Sequence, residues 1–102
     1  MAPPNEQSLS QGIQAELQAK KQRLALLEQE EVQALSYMQE LQAQARVIQQ
    51  LNTSAREVQA ARAVQTSGKT VAQQVQDQMT EVARIQAEVE VVRSTIELLS
   101  GP

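Results

Sequence analysis

The run VAQQVQDQMTEVARIQAEVEVVRSTIELL, Val71 to Leu99, repeats its aliphatic residues every seven positions. Val75, Val82, Val89 and Ile96 hold one register. Val71, Ile85, Val92 and Leu99 hold the second, where Gln78 is the single polar residue. An α-helix turns once in about 3.6 residues, so this spacing draws one apolar stripe along a helix, the a/d seam of a coiled coil. β-Branched residues at a fit parallel dimers, whereas Ile and Val at d favour larger assemblies. Met79 widens the stripe. Ser100-Gly101-Pro102 then stops the helix, a glycine followed by proline.

Reading back toward the N-terminus, the next feature is Thr66-Ser67-Gly68-Lys69-Thr70, the least helical run of the interior. Thr70 with Gln73 has the spacing of a capping box and would open a third helix. Alternatively one helix passes straight through Gly68, at a cost of about 1 kcal/mol relative to Ala. Before it, Ala55 to Gln65 is Ala-rich, with Val58, Ala61 and Val64 on one face. Leu51-Asn52-Thr53-Ser54 is an earlier break, and Ser54 with Glu57 reads as a second capping box.

The first arm carries a weaker seam. Leu17, Leu24, Leu27, Ala34, Met38, Leu41, Ala45 and Ile48 recur at gaps of three, four and seven, interrupted by Lys20 and Glu31. Gln, Glu and Ala fill the other positions and are good helix formers. Glu16 and Lys20 stand four apart in the favourable order. Ser8 and Gln11 fit a capping box at the start. No proline falls between Pro4 and Pro102, so nothing in that interval imposes the roughly 3 kcal/mol penalty of an internal proline.

These readings predict an all-α fold, a long antiparallel helical hairpin or coiled coil, with a break near Gly68 giving three helices if the joint is real. The expected organisation is a disordered tail over 1–8, a first helix over 9–51, a turn at 52–54, a second arm over 55–99 jointed at 66–70, and a stop at 100–102. Leu17, Leu24, Leu27, Met38, Leu41 and Ile48 form a seam for the other arm or for a partner. Val71, Val75, Val82, Ile85, Val89, Val92, Ile96 and Leu99 are the expected partner-helix binding edge. Met79, Val91 and Leu98, with Leu26, Val32 and Val47 on the first arm, lie off the strict line and would face a further helix, as in a larger bundle.

Composition narrows the function classes. Phe and Trp are absent and Tyr37 is the one aromatic residue, so the large rings that fill compact cores are missing. The net charge is -3, and the densest basic group, Lys20, Lys21 and Arg23, is flanked by Glu16, Glu28, Glu30 and Glu31. Nucleic-acid binding, which rests on clustered Lys and Arg, is not expected. Without cysteine there is no disulfide or thiolate chemistry. With no histidine either, only carboxylates could hold a metal, and Glu28, Glu30 and Glu31 diverge around a helix.

No apolar run approaches the ~20 residues of a membrane span, the polar face is Gln/Glu and not basic, and the N-terminus lacks a signal-peptide pattern. A soluble intracellular location, cytoplasmic or nuclear, is the expectation. Ala63 to Thr70, AVQTSGKT, matches the end of a G-x-x-x-x-G-K-[ST] phosphate loop. However, Ala63 replaces the leading glycine, and Arg56 to Arg62 is helical in pattern where a strand must precede such a loop. A helix junction is the better account.

The expected function is therefore non-enzymatic, without cofactor, metal or small-molecule ligand: a coiled-coil assembly subunit that binds protein helices, its own or another chain's, in a structural, tethering or scaffolding role. In style it is similar to small helical subunits of tethering and kinetochore assemblies, although no motif carries over residue by residue. The alternative is a holdase chaperone or adaptor resembling the prefoldins. Those place β-hairpin sequence between their helices, and Asn52 to Thr70 contains none.

Overall fold

The computed structural model describes residues 4–101, with side chains from Ser10 onward. The fold is all-α, with three helices and no strand among the described residues. They are α1 (Pro4–Gln49), α2 (Thr53–Ser67) and α3 (Val71–Ser100). Helices α1 and α3 pack against each other as the arms of a hairpin, and α2 lies between them in sequence. α1 begins within the stretch expected as a tail; residues 1–3 lie outside the described residues, as do the side chains of the Ser8 capping box apart from Gln11.

The helix boundaries follow from local hydrogen bonding. At the end of α1, the N–H groups of Gln50 and Leu51 donate to Val47 and Ile48 carbonyls, both at 3.1 Å, and this i→i−3 pattern tightens the last turn. Asn52 is extended (ψ 167°), and its side-chain oxygen accepts the Ala55 N–H at 2.9 Å. Asn52 is therefore the N-cap of α2, and the Ser54–Glu57 box expected from sequence is not. Ser54 lies inside the first turn, where its backbone is already helical.

The joint at Gly68 is real. Gly68 ends α2 in the left-handed region at φ 76°, and its N–H donates to the Val64 carbonyl at 2.8 Å. An L side chain at that φ is strained, which is why glycine serves there. Two residues on, Thr70 and Gln73 form the reciprocal capping box read from the sequence. The Thr70 N–H donates to Gln73 Oε1 at 2.9 Å, and the Gln73 N–H donates to Thr70 Oγ1 at 3.2 Å. Gly101, at φ 73°, follows the end of α3.

By contact density the chain divides into two units. The first joins α1 up to Glu30 with α3 from Ile85. Its buried aliphatics are Leu27, Ile85 and Val89. Two inter-helix ion pairs flank them, Arg23 to Glu88 at 3.1 Å and Arg93 to Glu28 at 3.7 Å. Each pair joins a guanidinium of one helix to a carboxylate of the other. All four side chains are partly exposed, and such pairs contribute at most about 1 kcal/mol each.

The second unit is Glu31–Arg84, comprising the rest of α1, all of α2 and the start of α3. Ala34, Leu41 and Val82 are its buried residues. The small Ala34 leaves room for Gln78, whose Nε2 donates to the Ala34 carbonyl at 2.9 Å across the two helices. Thus the one polar residue in the α3 seam is satisfied, as a half-buried amide must be. Helix α2 contributes no buried residue. It touches its unit through half-buried Ala55, Gln59 and Ala63, and the expected Val58–Ala61–Val64 face is left in solvent.

Candidate partner-binding surface

Three of the eight residues expected to form the partner edge are buried within the chain. Val82, Ile85 and Val89 are buried, and Val71, Val75, Val92, Ile96 and Leu99 are half-buried. On α1, Leu27 and Leu41 are buried, while Leu17, Leu24, Met38 and Ile48 are half-buried. The two seams thus close on each other in the hairpin. A heptad stripe states that a face will be covered, and here the covering face belongs to the same chain.

What remains for a partner is the set of apolar side chains off the seam. Leu98 is 82% exposed, Val91 65% and Val47 60%. Leu26, Val32, Tyr37, Val58, Val64 and Met79 are also exposed. Single exposed aliphatics are ordinary, so spacing decides which of these matter. Val91 and Leu98 are seven apart, which places them on one line of α3, about 10.5 Å from each other along the axis. That line lies nearly opposite the buried seam, since Val91 is two residues from Val89 and each residue advances the helix by ~100°.

A concavity in the Glu31–Arg84 unit accompanies these residues. The end of α1, one face of α2 and the first turn of α3 enclose an open groove of about 720 Å³. Val47, Ile48, Leu51, Ala63 and Val71 provide its apolar wall, and Arg62 is the one charged residue lining it. The Arg62 guanidinium makes no ion pair or hydrogen bond among the described residues.

The segment that matches a phosphate-loop ending is used differently. The backbone N–H groups of Gly68, Lys69 and Thr70 donate to the Val64 carbonyl, Ser67 Oγ and Gln73 Oε1, respectively. Lys69 Nζ pairs with Asp77, and Thr70 Oγ1 accepts from Gln73. As folded, the stretch is a helix junction whose donors are already engaged. Of the cluster Glu28, Glu30 and Glu31 on α1, Glu28 pairs with Arg93 of α3, and no group of three metal-ligating side chains forms among the described residues. Among the described residues, Glu81 is the one carboxyl clearly displaced from its ordinary range, held low by its hydrogen bond from Arg84. Among the described residues no helix is long and apolar enough to cross a membrane.

Neither a protein-family model, a curated protein nor a solved structure matches the chain. Its fold therefore defines a class, the helical hairpin, and the functional reading rests on the surface just described.

Proposed function

We propose that this chain is a non-enzymatic helical assembly subunit, whose hairpin presents apolar side chains to helices of other subunits or other copies. The observation that carries the reading is the placement of apolar side chains left exposed after the chain has packed its own seam: Leu98 is 82% exposed and Val91 65%, on one line of α3. Val91 with Leu98, and the groove beside Val47, supply apolar character where a partner helix would bind.

The mechanism is burial. A fully buried aliphatic side chain contributes about 1.5–3 kcal/mol gross, from which association and side-chain ordering subtract heavily. Several such residues are needed for a lasting complex. Photo-crosslinking tests the reading: a photoreactive residue is placed at Val47, Val91 or Leu98, and at exposed Gln18 or Gln86 as controls. Crosslinks to helical proteins or to a second copy should concentrate at the apolar positions. Equal or absent crosslinking at all five positions would defeat it.

A further inference from the structure

We infer that the groove beside α2 receives the C-terminal end of α3, from Val91 onward, of a second copy of this chain, a head-to-tail contact between two different surfaces. The inference rests on the assembly reading above and names its partner. Two complementary features carry it. On the groove side, Val47, Ile48, Leu51, Ala63 and Val71 make an apolar wall beside Arg62, whose guanidinium has no partner among the described residues. On the α3 side, Val91 and Leu98 project into solvent, and Glu97 stands beside Leu98 with no ion pair among the described residues.

Charge strengthens the match. The last turn of α3 carries no basic residue, so its unpaired carbonyls, the negative end of the helix dipole, lack an internal cation. Glu97 adds a full negative charge there. A guanidinium answers both, because its planar fork can donate to a carboxylate and to neighbouring oxygens together. The volume also fits. At about 720 Å³ the groove is of a size that holds a drug-sized ligand, ample for the Val91 and Leu98 side chains. Docking is heterologous, so the face given by one copy is not the face it receives with.

Light scattering of the full chain over a wide concentration range tests this. The wild-type mass should rise with concentration. Arg62→Glu and Leu98→Asp should each raise the concentration for half-assembly by about tenfold or more, equivalent to ~1.4 kcal/mol or more. Circular dichroism should show undiminished helicity, since both residues are exposed. Mixing the two variants is decisive, because the first keeps the α3 end and the second keeps the groove. The mixture should form a one-to-one complex that neither forms alone. The double reversal Arg62→Glu with Glu97→Arg should restore assembly.

A wild type that stays monomeric throughout overturns the inference, as do variants that assemble like wild type or a reversal that fails to rescue. If the monomer nevertheless crosslinks to a different helical protein through Val91 or Leu98, self-docking falls and the assembly reading stands. Absence of both self-association and crosslinks removes the two together.

Discussion

Gly68 is the residue on which the chain's organisation turns. Its φ of 76° ends α2, and a Cβ added there would meet nothing within 4 Å. The cost of substitution is therefore one of backbone angle and not of space. Gly68→Ala should lower stability by about 1 kcal/mol, and Gly68→Asn, which tolerates the left-handed region better, by less. Urea midpoints of the three proteins check the order; equal midpoints would mean the joint does not hold this angle. Gln78 is the second telling residue. Gln78→Ala removes the bond to the Ala34 carbonyl and should cost about 1 kcal/mol, whereas Gln78→Leu exchanges it for apolar burial and should be close to neutral. Both residues stood out in the sequence, Gly68 as a break and Gln78 as the lone polar member of its register. Asn52 did not stand out, because Asn, Thr and Ser are adjacent at that turn and all can cap a helix. Only the side chain's reach to the Ala55 N–H distinguishes it.

At the scale of elements, the helices differ in what holds them. α3 has a seam of period seven with three buried residues, a pattern local enough to be read directly from Val71 to Leu99. α2 has none buried and depends on its ends, Asn52 and Gly68. Asn52→Ala should therefore fray α2 first, at a cost of about 1 kcal/mol. Amide hydrogen exchange would show faster exchange confined to the first turns of α2; uniform acceleration through α3 would contradict this. The Val58–Ala61–Val64 face was legible as a stripe, yet α2 packs through Ala55, Gln59 and Ala63 instead. Three weak apolar residues at helical spacing do not by themselves fix which face of α2 packs. In the α1–α3 seams, Leu27→Ala should cost about 2–5 kcal/mol because it opens a cavity. Leu98→Ala, with the side chain 82% exposed, should change monomer stability by less than about 0.5 kcal/mol. Thermal denaturation at low concentration separates the two. A large loss for Leu98→Ala there would place that residue in the monomer's own packing.

For the whole molecule, the all-α hairpin with three helices was legible because proline is confined to the ends and the aliphatic spacing is helical almost throughout. The ownership of the seams was not legible. Heptad spacing says that Val82, Ile85 and Val89 will be covered, but a partner chain and the chain's own first arm satisfy the pattern equally. With those residues buried at home, Val82→Asp or Val89→Asp would unfold the hairpin and say nothing about assembly. The informative substitutions lie on the outward line of Val91 and Leu98 and in the groove beside α2.

Light scattering of the full chain, alone and as purified from its native source, tests the central claim most directly. The proposed assembly role predicts a mass above that of the monomer in at least one of the two preparations, reduced by Leu98→Asp with helicity retained. A stable monomer in both preparations, with no protein co-purifying, would contradict it.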